Sequence, residues 1–107
     1  MRILFVCSRN RLRSPTAEAV FAGHDGLETA SAGLAPDADC PLEAEQIGWA
    51  DLIVVMERVH KTRINQRFAQ ALCGKKLVCL DIPDRYTFMQ PELLALLERK
   101  MAPHLQA

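Results

Sequence analysis

The stretch from Met1 to Phe21, MRILFVCSRNRLRSPTAEAVF, constrains this chain more than any other. Its apolar run, Ile3 to Val6, does not alternate with polar residues, which suits a strand buried on both faces. Cys7 closes the run, and a short loop leads on to Arg13, Ser14 and Pro15. Ser14 followed by Pro15 reads as a helix N-cap and first helical residue, because proline there gives up only an N–H that lacks a helical partner. Ala17, Val20 and Phe21 then fall on one helical face. The order is strand, tight loop, helix, with a thiol at the strand's end and a guanidinium at the helix's start.

A loop of this kind turns successive backbone N–H groups into one concavity, and the helix dipole adds positive potential at the same place. An anion is the ligand such a concavity attracts. Arg13 offers a planar fork of donors that matches two oxygens of a phosphate. Cys7 lies in the same positive field, and a thiolate there is the nucleophile. Arg9 and Arg11 add local charge, which also reads as a solvated face.

Gly23-His24-Asp25-Gly26 breaks the first helix, and Leu27 to Ser31 alternates as a second strand ending in Ser31-Ala32-Gly33. Pro41 is expected to start a brief helix running to about Ile47. Ala50 to Met56 is a third strand, with Trp49 as a core anchor before it. His60, Ile64, Phe68 and Leu72 form the stripe of a buried helix face that Gly74 stops, with His60 a helix-end or edge residue rather than a catalytic base. Leu77 to Leu80 is a fourth buried strand, and Cys73 and Cys79 read as small core residues. A last helix starts near Gln90-Pro91, turns Leu93, Leu94, Leu96, Leu97 and Met101 inward, and is expected to end at Pro103.

Strands alternating with helices imply right-handed crossovers and a mostly parallel sheet covered on both faces. Sites in such sheets lie at the carboxyl ends of the strands, so the Cys7 loop, the Ser31-Ala32-Gly33 turn and the segment from Asp81 to Tyr86 should meet on one edge. The 107 residues leave room for one domain, 1–107. A formal net charge of zero gives no reason to expect nucleic acid or a membrane as partner. Cys7, Cys40, Cys73 and Cys79 show no metal-ligand spacing, and no secretory leader or membrane span is read, so a reducing cytoplasm is the expected location.

Cys-x5-Arg-Ser-Pro after a strand, Asn10 within the loop and Ala17-Glu18-Ala19 beyond it resemble the low-molecular-weight protein tyrosine phosphatases, whose fold is shared with thioredoxin-coupled arsenate reductases. Ser31-Ala32-Gly33 and the surroundings of the third strand, from Trp49-Ala50-Asp51 to Met56-Glu57 and His60, are similar to the same family. The resemblance implies an α/β fold: a three-layer doubly wound sandwich of flavodoxin-like, phosphotyrosine phosphatase I type, with a four-stranded parallel sheet in the order 2-1-3-4. It implies a phosphatase acting on phosphate monoesters, with protein phosphotyrosine the expected substrate, a monomer, and no cofactor or metal. Cys7 would form a phosphocysteine, held by Arg13 and by the loop N–H groups from Ser8 through Arg9, Asn10, Arg11 and Leu12 to Arg13. Ser14 would donate a hydrogen bond to the Cys7 sulfur, and Asn10 would hold the loop's curl.

An acid is needed for the leaving oxygen. In the family it is the aspartate of an Asp-Pro-Tyr-Tyr segment, altered here to Pro83-Asp84-Arg85-Tyr86. Spacing from Leu93 favours Asp84, with Asp81 second. The family commonly has glycine where Arg9 stands and an aromatic residue where this chain has Leu34-Ala35-Pro36, and its segment between Gly33 and Trp49 is longer. One wall of the substrate groove is therefore missing or rebuilt, and Tyr86 is the remaining aromatic candidate. Two other functions fit the same residues. Arsenate reduction would need Cys40, Cys73 or Cys79 as resolving thiol, and a binding module would hold a phosphorylated partner without turnover.

Overall fold

The computed structural model describes residues 1–105. The chain runs β1 (Arg2–Cys7), α1 (Arg13–Phe21), β2 (Glu28–Gly33), α2 (Ala44–Trp49), β3 (Leu52–Val55), α3 (Arg58–Arg67), β4 (Lys76–Cys79) and α4 (Pro91–Leu105). The four strands form one sheet in the order β2-β1-β3-β4, every neighbouring pair parallel. That is the order the resemblance implied. No helix among the described residues is long and apolar enough to cross a membrane.

The run Ile3–Val6 is wholly buried because alternate side chains of β1 leave by opposite faces. Ile3, Phe5 and Cys7 join α1 through Ala17 and Phe21, and α4 through Leu93, Leu97 and Met101. Leu4 and Val6 join Ile47 of α2 and Ile64 of α3 on the other face. Each full burial of such a side chain is worth about 1.5–3 kcal/mol, so β1 is tied to both layers.

Several local expectations give way to tertiary context. The first helix starts at Arg13 with Leu12 as its N-cap residue, whose apolar side chain offers no cap, and Ser14 lies inside the helix with its hydroxyl turned to Cys7 and Asn10. Pro41 starts no helix; it bridges to Gly33, and α2 begins at Ala44 behind a capping box between Glu43 and Gln46. The third helix ends at Arg67, well before Gly74, although Phe68 and Leu72 still pack on the core. β4 is a sheet edge, so Leu77 to Cys79 are only half-buried, and Cys73 is exposed. Trp49 is half-buried against the second core cluster, with the Arg2 guanidinium 6.0 Å above its ring. Pro103 lies within α4, which runs on to Leu105, so the helix continues through the proline without the N–H that would have met the Arg99 carbonyl.

Candidate active site

Parallel register brings the carboxyl ends of the strands together. Cys7 pairs with Gly33 across β1 and β2, and Val6 with Val55 across β1 and β3. The Ile82 N–H, beyond β4, donates to the Met56 carbonyl at 2.8 Å. The loop after β1, the turn after β2 and the segment beyond Asp81 therefore share one edge.

Within that edge the loop from Ser8 to Leu12 curls around the Cys7 sulfur. Asn10 holds φ 58°, a left-handed conformation that asparagine tolerates better than most residues. The outer side of the loop is fixed by the segment after β2. Leu34, Ala35 and Asp39 donate their N–H groups to the carbonyls of Cys7, Ser8 and Arg9 at 3.0, 2.7 and 3.0 Å. The backbone N–H groups of Ser8 to Arg13, by contrast, donate to no protein acceptor among the described residues. Carbonyls bound outward and N–H groups left free make an anion cradle. A cavity of about 500 Å³ lies beside it, lined by Cys7, Ser8, Arg9, Arg11, Leu12, Arg13 and Asp84.

Gly33 permits this close approach. A Cβ there would lie 2.6 Å from the Ala38 Cβ and 2.7 Å from the Ser8 carbonyl oxygen, neither of them the end of a flexible side chain. Gly33→Ala should therefore push the loop off the 34–39 segment. The expected cost is about 1–3 kcal/mol in urea unfolding, with a parallel fall in any activity of the site; unchanged stability would mean the two segments part freely.

The Cys7 sulfur, 3% exposed, lies 2.9 Å from Ser14 Oγ, which is also 2.9 Å from Asn10 Oδ1. A hydroxyl has one proton, so Ser14 donates to the sulfur or to Asn10 but not to both. When the sulfur is an anion, Ser14 must donate to it, and Asn10 must turn its NH2 towards Ser14.

Arg13 is 2% exposed, and its donors divide into two sets. Both N–H groups of Nη1 are engaged, by Glu57 Oε2 at 2.8 Å and the Ile82 carbonyl at 2.7 Å. The N–H groups on Nε and Nη2 make no hydrogen bond among the described residues, with Asp84 Oδ1 3.7 Å from Nε. The unengaged edge is the fork that matches two oxygens of a phosphate.

Asp84 thus stands at the cavity beside Arg13, whereas Asp81 does not line it. Asp81, at φ 54°, pairs with Arg58 at 3.6 Å and accepts from the Cys79 thiol at 3.6 Å. Tyr86 does not line the cavity either. It packs on the first core cluster with Arg85 5.8 Å above its ring, because the segment before α4 directs the ring inward, so the expected aromatic wall is absent there. Asn10 supports the loop from behind. Arg9 and Arg11 pair at the rim with Asp37 (3.9 Å) and Asp39 (3.2 Å). Such exposed pairs are worth about 0–1 kcal/mol each. Cys40, Cys73 and Cys79 are absent from the lining, and burial pushes the Cys79 thiol up.

Glu57, given no role in the sequence, is joined here by His60. His60 stands in the first turn of α3, as expected of a helix-end residue, but is fully buried under the loop rather than at an edge, with its Nε2 3.0 Å from Ser8 Oγ. The spacing Glu57-x-x-His60 at the start of α3 was the available signal, since the two form a capping box. Burial, then the Arg13 charge, lowers His60 from 6.5 to about 4, against the opposing pull of Glu57. Between those values the unfolded chain binds a proton that the folded one refuses, so stability falls as pH drops from 6.5 towards 4 and is unaffected above. Wild type should lose about 2 kcal/mol more than His60→Gln between about pH 7 and about pH 5 in urea unfolding. Equal losses would place the imidazole in water.

No protein-family model matches the chain. A curated protein-arginine-phosphatase from Geobacillus stearothermophilus is 32% identical over 94 residues, an alignment covering 65% of this chain. The chain spans just under two thirds of that relative's length, 64%. The solved YwlE arginine phosphatase from Geobacillus stearothermophilus superposes with a TM-score of 0.77 at 28% identity, covering 98% of this chain and 92% of that one. The low-molecular-weight protein tyrosine phosphatase from T. tengcongensis superposes at 0.71 with 25% identity, covering 94% and 92%.

Proposed function

We propose that the chain is a member of the low-molecular-weight protein tyrosine phosphatase family, to which its sequence and fold are similar, and that it is a cysteine-dependent phosphatase of phosphorylated proteins, a monomeric single domain working in a reducing cytoplasm. The observation that carries this reading is the ring of unengaged N–H groups from Ser8 to Arg13, together with the free edge of Arg13, around the Cys7 sulfur. Such preorganised donors stabilise the charge on a transferring phosphoryl group.

Cys7 thiolate attacks phosphorus in line, a P–S bond forms, and the ester P–O bond breaks. Asp84 gives its proton to the leaving oxygen. Water then attacks the phosphocysteine, passes a proton to Asp84 and releases phosphate and thiolate. Protein phosphotyrosine is the first substrate to test. Phosphoarginine in protein is the second, favoured by the likeness to the arginine phosphatase from Geobacillus stearothermophilus in both sequence and fold. Arsenate reduction is disfavoured because no second cysteine among the described residues lines the cavity.

The test is a series of phosphate monoesters with and without Asp84→Asn. In kcat/KM, which reports the steps up to departure of the leaving oxygen, the variant should slow a poor leaving group such as phenyl phosphate about a hundredfold, and p-nitrophenyl phosphate much less. An equal loss of kcat/KM for both esters would remove Asp84 as the acid, and no turnover of any ester by wild type would leave the binding-module reading.

A further inference from the structure

On the reading that Cys7 attacks phosphorus, we propose that the Ser8 hydroxyl is an additional donor to the phosphoryl oxygens and that His60 is the positioning residue that holds it in that role. His60 Nδ1 accepts the backbone N–H of Glu57 at 3.2 Å, so the ring's proton sits on Nε2. Nε2 has two oxygens within reach, Ser8 Oγ at 3.0 Å and Glu57 Oε2 at 3.5 Å, and the shorter is the hydrogen bond. Nε2–H therefore donates to Ser8 Oγ, and the serine's own proton must point elsewhere.

Ser8 lines the cavity with Cys7 and Arg13, and its hydroxyl finds no acceptor for that proton among the described residues. A bound oxyanion supplies one. The ring that fixes the hydroxyl is itself wholly buried, so the donor is ordered before substrate arrives. Glu57 Oε2 lies against both Arg13 Nη1 and His60 Nε2, so one carboxylate braces the supports of both side-chain phosphate donors.

Calorimetric titration with inorganic phosphate tests the pair through Ser8→Ala, Ser8→Thr, His60→Gln and the double variant Ser8→Ala/His60→Gln, with thermal midpoints as a check on folding. Ser8→Ala should weaken phosphate about tenfold, while Ser8→Thr, which keeps a hydroxyl, should stay within about twofold of wild type. His60→Gln should weaken phosphate when Ser8 is present and add nothing in the Ser8→Ala background. A purely structural histidine would weaken binding equally in both backgrounds, and that result overturns the pairing. Ser8→Ala binding phosphate like wild type overturns the donor, whether or not His60→Gln folds. If wild type binds phosphate but hydrolyses no ester, the phosphatase reading fails while the Ser8 comparison still decides this one. If wild type binds no phosphate, both fall.

Discussion

Exchanging Arg13 for lysine lowers kcat/KM on a phosphate monoester by about two to three orders of magnitude. The charge is kept, so the loss measures geometry. Arg13 uses Nη1 to anchor itself to Glu57 and the Ile82 carbonyl, and its remaining Nε and Nη2 edge is the fork that the proposed contact with two phosphoryl oxygens requires. A lysine ammonium is a single point with three donors and cannot hold both anchors and also present a fork. Stability falls less steeply, by about 1–3 kcal/mol in urea unfolding, mainly from the Ile82 carbonyl left without its donor. Glu57, 37% exposed, is rehydrated and adds little. A loss in kcat/KM below about tenfold would mean that Arg13 serves the fold and not the phosphate.

Cys7→Ser removes turnover, by at least about ten-thousandfold, and leaves the fold and phosphate binding in place. The hydroxyl is close in shape to the thiol, and Ser14 Oγ, 2.9 Å from the sulfur, remains as its partner. The cradle N–H groups and Arg13 do not depend on the sulfur, so calorimetry should report phosphate affinity near wild type while steady-state assays report no product. This dissociation of binding from turnover is what a nucleophile gives and a structural cysteine does not. Retained hydrolysis in Cys7→Ser would move the chemistry to another group.

Much of this was readable along the chain because it is local. The unbroken apolar run Ile3–Val6 could only be a strand covered on both faces, and the glycine-poor loop after it still needed one left-handed residue, which Asn10 supplies. Cys7 and Arg13 are brought together by a single strand–loop–helix unit. The features that escaped depend on partners distant in sequence. Ser14 has the composition of an N-cap, yet its hydroxyl goes to the sulfur and to Asn10. Glu57 and His60 reach the loop only because β3 lies beside β1 in the sheet. Tyr86 faces the core rather than the cavity, a direction that spacing alone does not fix. The apolar composition of β4 and of Cys73 does not reveal that the strand is a sheet edge and that the cysteine lies in the exposed turn before it.

Asp84→Asn should let the covalent species accumulate with a good leaving group, because its second step loses the base that activates water. Acid quenching of that variant during turnover of p-nitrophenyl phosphate, followed by peptide mass spectrometry, reads the central claim directly. Phosphate on the sulfur of Cys7, absent from Cys7→Ser, is the predicted result. Continuing turnover with Cys7 unmodified at every quench time would contradict it.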